Sequence, residues 1–309
     1  MSARTSLHRS LSLFAVAAAL GSVGCDDSLK SVSLIEETRV LGARVAVEAD
    51  ETRSSPMPGE RAQLHFFVAA PSGEPQLSYA LSVCAVRLTN NGFPPCASAP
   101  FASAMQVEAS TADARLDFQV PNEVELESTP HAFASGLICP DSGLSLAPDG
   151  APTCLLGVGS RVAFEFDLGS PEQSNRNPSF GADAITLDGE PWPASTETSC
   201  DASSLPHVTA NSRHALRIDL ADSDFEPLAR DTSLGPARET LLVSPFSDAG
   251  KLEHGFLSMS ADTPPEQRRV SWDAPATAGT LPSLVRFYFV VRDARSGEDF
   301  AKRALCVVP

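Results

Sequence analysis

The residues with chemistry to offer are, first, seven cysteines: Cys25, Cys84, Cys96, Cys139, Cys154, Cys200 and Cys306. A thiol can ligate zinc, attack a substrate, carry a lipid or pair into a disulfide, and spacing and compartment decide among these. No Cys-x-x-Cys and no Cys/His cluster with ligand spacing occurs, so a zinc site is not expected. The compartment is set by what precedes Cys25. Arg4, His8 and Arg9 lead into the apolar run Leu11 to Leu20, and Gly21, Ser22, Val23 and Gly24 connect it to the cysteine. That is the layout of a secretory signal ending at a lipid-attachment cysteine. The run is about half of the ~20 residues a membrane-spanning helix needs, so it reads as the apolar region of a signal rather than an anchor.

Two cleavage sites compete. Lipoprotein signals usually place Leu three residues before the cysteine, whereas here Ser22 holds that position and Leu20 lies two further back. Ordinary signal-peptidase cleavage could follow Ala17-Ala18-Ala19 or Ser22-Val23-Gly24. Cysteine arithmetic favours lipid on Cys25, because it leaves an even number of thiols in an oxidising compartment, where disulfides persist. Loop length and local context then favour Cys84 with Cys96 and Cys139 with Cys154, with Cys200 to Cys306 by elimination. In the chain-entropy model the two short loops contribute about 3 kcal/mol each and the long one nearer ~5 kcal/mol.

Catalytic signals are sparse. The chain has no GxSxG elbow, phosphate loop, HExxH or GxGxxG. His65, His131, His207, His214 and His254 stand alone in the sequence, and only folding could bring one beside a serine and a carboxylate. Asp219, Asp222, Asp224 and Glu226 form the best calcium candidate, since hard oxygen ligands crowded between strands are how such sites are built. They lack the spacing and glycine of an EF-hand, and a solvated acidic turn is the preferred reading, so no metal and no cofactor are expected. Trp192 sits between two prolines and is the aromatic most expected to be exposed, where a lone Trp would hint at a contact surface, whereas Trp272 lies in a strand and reads as core.

Charge narrows the partners. Loss of residues 1–24 removes Arg4 and Arg9 and no acid, so the formal net charge moves from −16 to −18. Nucleic acid needs clustered Lys and Arg and is disfavoured by that sign. The acids are scattered, as on a solvated surface that keeps an exported protein soluble.

The elements that would position these residues are strands. Val40, Ala43, Val45 and Val47 alternate along Arg39 to Glu48; Leu64, Phe66 and Val68 oppose Gln63, His65 and Phe67 along Ala62 to Ala69. Leu77 to Val86 alternates and sends Cys84 to the face opposite Val83. Further strands are expected at Met105 to Glu108, Ala114 to Val120, Gly136 to Cys139 and Arg161 to Leu168, with an acidic stretch, Val120 to Thr129, able to form a helical turn. Gly169 to Asn177 is polar and turn-rich and marks a domain boundary. Beyond it come Ala184 to Leu187, His214 to Leu220, Thr240 to Val243, Arg269 to Trp272, Leu284 to Val291 and Ala301 to Val308. Short strands between Pro/Gly turns, with almost no helical period, predict an all-β chain of two immunoglobulin-like antiparallel sandwiches. The expected layout is signal peptide 1–24, lipidated tether 25–33, first sandwich 34–174 and second sandwich 175–309.

The run Arg39-Val40-Leu41 to Glu48, then Pro58-Gly59-Glu60 and a strand ending near Cys84, resembles the opening of uncharacterised myxobacterial surface lipoproteins. Asn175-Arg176-Asn177-Pro178, Asp188-Gly189, Ser244 to Lys251, Ser271 to Pro275 and Val291 to Gly297 are similar to features repeated in that group. The resemblance implies tandem immunoglobulin-like domains tethered in the cell envelope, and transfers no catalytic or binding residue.

The expected function is therefore a non-enzymatic, lipid-anchored envelope protein that binds or adheres to an envelope protein or polysaccharide. A structural role in an envelope assembly is the alternative, and a secreted hydrolase comes third. The anchor is expected in the outer membrane or at the cell surface, although Asp26, directly after the cysteine, is an inner-membrane retention signal in some lineages.

Overall fold

The computed structural model describes residues 31–71, 73–86, 96, 99–122, 131–170, 174–202, 204–228, 238–276 and 283–309. Ser33 to Pro309 form one compact unit. Cys25 and most of the acidic stretch after Val120 lie outside the described residues.

In the first half, β1 (Arg39–Val47), β2 (Arg61–Ala69) and β5 (Ala114–Gln119) make an antiparallel sheet in the order β1-β2-β5. The second sheet is β4-β3-β6-β9, from β3 (Leu77–Val86), β4 (Ala102–Thr111), β6 (His131–Pro140) and β9 (Ser160–Asp167). A small hairpin, β7 (Leu144–Leu146) with β8 (Pro152–Cys154), stands apart from both sheets. Period-two alternation is what drives the pairing: Ala43, Val45, Leu64, Phe66, Leu116 and Phe118 from one sheet meet Leu81, Val83, Ala134, Val162 and Phe166 from the other in a single core.

The second half adds β10 (Ile185–Leu187), β11 (Glu190–Pro191), β12 (His207–Thr209), β13 (Arg213–Ile218), β14 (Leu241–Ser247), β15 (Lys251–Leu252), β16 (Leu257–Met259), β17 (Arg269–Asp273), β18 (Ser283–Arg292) and β19 (Glu298–Val308). They form sheets β11-β10-β13-β17-β15 and β12-β19-β18-β14-β16, closed over Trp192, Leu216, Ile218, Trp272, Phe287, Phe289 and Leu305. Its strands outnumber those expected because β11, β12, β15 and β16 have only two or three residues, too short to show a period. Short 3-10 turns occur at Asp222–Asp224 and Pro265–Gln267. Among the described residues no helix is long and apolar enough to cross a membrane.

The sandwiches stack face to face. Leu41, Phe67 and Ala69, on the outer face of β1 and β2, bury against Tyr288 and Val290 on the outer face of β18, with Phe67 stacked on Phe300 of β19 at 4.6 Å. Around this small apolar patch runs a buried polar seam. Glu298 accepts the amide of Ala43 at 2.9 Å and the Arg292 Nε at 2.5 Å, and Arg292 donates onward to the Leu41 carbonyl. Asn177 donates to the Val45 carbonyl at 2.7 Å and accepts the Glu298 amide at 3.0 Å. Asn175 donates from its side chain to Ser54 Oγ and Asp293, both at 2.9 Å. The segment expected as the domain boundary thus ends in Asn175 and Asn177, both buried. At Gly42 a β carbon would collide with the Glu298 carboxylate, so glycine here is what lets the strands approach.

Three disulfides staple the body, Cys84–Cys96, Cys139–Cys154 and Cys200–Cys306, closing separations of 12, 15 and 106 residues. Cross-links of this kind persist outside the reducing cytosol.

Two outcomes follow from the seam and the staples. Burial pushes the Glu298 carboxyl up to about 7, and burial likewise raises Asp293 and Glu239 beside it. Raised carboxyls bind protons more tightly folded than unfolded, so their contribution to stability is full below the unfolded value and is lost as pH climbs toward 7. Melting temperature should fall between about pH 5 and 7, and Glu298→Gln, which is neutral throughout, should flatten that slope. Opening Cys200–Cys306 by paired serine substitution should cost nearly ~5 kcal/mol in urea unfolding, against about 3 kcal/mol for either short loop.

Candidate functional site

Three side chains that could do nucleophilic chemistry meet on the second sandwich, and the turns at its edge explain how. Asp188 and Gly189 join β10 to β11 with φ of 52° and 92°, a two-residue turn of the type that Asp-Gly favours in tight hairpins. That turn points the Asp188 carboxylate at β13, where one oxygen accepts the Ala215 amide at 2.8 Å and the other lies 2.6 Å from Nδ1 of His214. His214 pairs across the sheet with Trp272, its ring tilted over the indole at 6.0 Å. Its Nε2 lies 2.5 Å from Oγ of Ser212, in the turn between β12 and β13. Ser212, His214 and Asp188 therefore stand in the order of nucleophile, base and orienting acid. None of this shows in the sequence beyond two residues of spacing between Ser212 and His214, because Asp188 arrives through sheet pairing.

Geometry also defines what the row lacks. The Ser212 hydroxyl faces the Thr209 carbonyl as well as the imidazole, and one proton cannot serve both. When the hydroxyl donates to the Thr209 carbonyl it has no proton to give to Nε2, and His214 cannot then activate it. The amides flanking the hydroxyl are already committed: Ala210 donates to Val308, Asn211 to Pro275 and Ser212 to Thr209. The Asn211 side chain is held by the Ala276 carbonyl. An acyl-transfer site needs donors aimed at the developing oxyanion, each worth a factor of roughly 10²–10³ in rate. These three amides do not supply them. The row acts as a clip, tying the β10–β11 turn, strand β13 and the β12–β13 turn together.

An open groove of about 550 Å³ is lined by Asp188 and His214 of the clip together with Arg213, Glu253, Glu266 and Arg269. Within it Arg213 pairs with Glu253 at 2.6 Å.

The calcium candidates are dispersed among protein partners. Asp219 pairs with Arg217 at 2.7 Å, Asp222 with Arg238 at 2.7 Å and Glu226 with Arg295 at 2.6 Å, while Asp224 accepts the amides of Ala221 and Ser179. Among the described residues no group of three or more His, Cys, Asp or Glu gathers as a metal site. Two other histidines also sit with acids: His65 lies 3.2 Å from Asp113 and His131 2.8 Å from Asp167. Burial pushes the His65 imidazole down.

Trp192 departs from expectation. It is 1% exposed, donates from Nε1 to the Ala304 carbonyl at 3.0 Å and meets Phe287 edge-on at 5.0 Å. In extended chain, alternate residues face opposite ways, so the two flanking prolines point to solvent and send the indole inward.

The exposed aliphatic surface gathers elsewhere. Among the described residues, Leu146, Leu155, Leu156 and Val158, with Met105 and Val107 on β4, are the solvent-facing large apolar residues of the first sandwich. All belong to the β7–β8 hairpin, the loop that follows it, or the adjacent edge strand.

No protein-family model and no curated protein matches this chain. Among solved structures it is similar to a nucleoside hydrolase-related hypothetical protein from Saccharophagus degradans, at 11% identity and a TM-score of 0.24 over 45% of this chain and 27% of that one. It is also similar to red sea bream transglutaminase, at 8% identity and a TM-score of 0.25 over 88% of this chain and 32% of that one. The chain thus spans a third or less of those proteins.

A fluorophosphonate probe should leave Ser212 unmodified, and a mass increase on its peptide would show an activated nucleophile instead. Asp188→Ala removes the acceptor for both His214 and the Ala215 amide and should cost about 2 kcal/mol in urea unfolding.

Proposed function

We propose that this chain is a non-enzymatic, lipid-anchored protein of the cell envelope, a rigid module that holds its loops at a set position near a membrane to meet a protein or polysaccharide partner. The observation that carries this reading is the buried seam. Asn175, Asn177, Arg292 and Glu298 tie two disulfide-stapled sandwiches into one body. The signal-like segment before Cys25 and the oxidised staples support an exported location, and the segment between Cys25 and Ser33 is short enough to keep the body beside the bilayer. The resemblance to myxobacterial surface lipoproteins agrees with the same role.

The rigidity of the seam favours one second reading, a structural component of an envelope assembly, for which fixed geometry is itself the function. A hydrolase acting through Ser212 is less well supported, because the amides around that hydroxyl are bonded within the fold.

Intact mass spectrometry of the purified mature protein tests the anchor. The expected product begins at Cys25, carries an acyl mass and gains the hydrogens of three disulfides on reduction. Cys25→Ser should release the protein from the membrane fraction; an unprocessed, reduced chain in the cytosol would end the proposal.

A further inference from the structure

We infer that the pocket between the segment Ser195 to Thr198 and strands β18 and β19 is a binding site for a small monocarboxylate, whose carboxyl group docks on Arg303. The inference goes beyond the role proposed above and holds whether or not the chain carries a lipid.

Arg303 is the one buried arginine among the described residues, at 4% exposure. It stands opposite Phe287 in the β18–β19 ladder, and so on the face that looks into the second sandwich. Its Nε donates to the Trp192 carbonyl at 2.5 Å and its Nη1 to the Lys302 carbonyl at 2.8 Å. Carbonyls satisfy hydrogen bonds but bring no charge to offset the guanidinium. Among the described residues no carboxylate pairs with it, and burial alone pulls its pKa below the ordinary arginine value. Other partly buried arginines are treated differently: Arg292 meets Glu298 and Arg295 meets Glu239, both at 2.5 Å. A cation withdrawn from water without a counter-charge is costly, and an anion arriving from outside removes that cost.

The pocket gives such an anion room. Arg303, Lys302 and Arg286 line it from the strands, and Ser195, Thr196 and Thr198 bring three hydroxyls to it. It admits the centres of water molecules over about 40 Å³. One water needs roughly 10–15 Å³ on that measure, so a group of about three atoms fits, which is the size of a carboxylate. The third guanidinium nitrogen, Nη2, makes no hydrogen bond to a described residue and is not sealed from solvent. It is the donor left for a ligand.

Charge selects among anions. Lys302 pairs with Glu74 at 2.9 Å and Arg286 with Asp248 at 3.3 Å, so Arg303 supplies the uncompensated positive charge of the pocket. A carboxylate carries one negative charge, whereas a phosphate group at neutral pH carries about −1.5 to −2. Glu197, exposed on the lining, opposes that excess. Tyr288 and Ala304 complete the wall with apolar surface against which a short aliphatic tail can rest.

Saturation-transfer NMR on the methyl group of propionate, titrated into the purified mature protein at constant ionic strength in chloride, tests the site. The expected result is a saturable signal that acetate displaces and that neither chloride nor neutral propionamide does. Arg303→Gln should weaken propionate at least tenfold while the protein still melts cooperatively. Thr198→Glu, at an exposed position, should weaken it at least threefold with Arg303 intact, and decides the matter if the first variant does not fold. A signal that does not saturate, an affinity unchanged in either folded variant, or displacement by propionamide overturns the inference. So does stronger displacement by inorganic phosphate than by acetate, which would make this a phosphate site.

Discussion

The Glu298 carboxylate, buried between two sandwiches, is the interaction on which the architecture turns. It takes an amide from β1 of the first sandwich and a guanidinium from β18 of the second, and its own amide is held by Asn177 from the segment between them. A buried carboxylate left unpaired is costly enough that all of its partners must arrive together. Gly42 provides the space, Arg292 the charge and Asn177 the remaining donors and acceptors. The seam thus specifies one arrangement of the sandwiches, where the apolar contact of Phe67, Tyr288 and Phe300 alone would tolerate sliding.

Because the seam fixes the stack, each outer surface has a fixed bearing. The far face of the first sandwich carries the β7–β8 hairpin, pinned by Cys139–Cys154. The outer sheet of the second carries the clip of Asp188, His214 and Ser212. The clip shows how such an order of side chains arises from turn chemistry: a short acid and a serine are both favoured in turns, and a histidine on the adjoining strand meets both. The amides of Ala210, Asn211 and Ser212 around it are bonded within the fold.

Much of this was readable from residue order. Alternation located most of the strands longer than five residues, and β3 has the bounds Leu77–Val86 that its pattern predicts. Strand ends shifted by a few residues where pairing extends beyond the apolar stretch, as in β6, which begins at His131 rather than Gly136 because both β3 and β9 pair with it from His131 onward. Strands of two or three residues left no period to detect. Trp192 misled because flanking prolines suggest a loop, whereas the same extended geometry turns the indole into the core.

The sequence by itself determined the all-β class, the acidic surface and the division into two sandwiches, since these depend on local periodicity, charge and turn chemistry. Only the tertiary structure decided that Phe67 is buried: it sits on the face of β2 that alternation assigns outward, and a second sandwich covers that face. The same holds for Tyr288, for the burial of Asn175 and Asn177 and for the meeting of Asp188 with His214. Each depends on contact between residues far apart in the chain, and local pattern reports which way a side chain points but not what arrives to meet it.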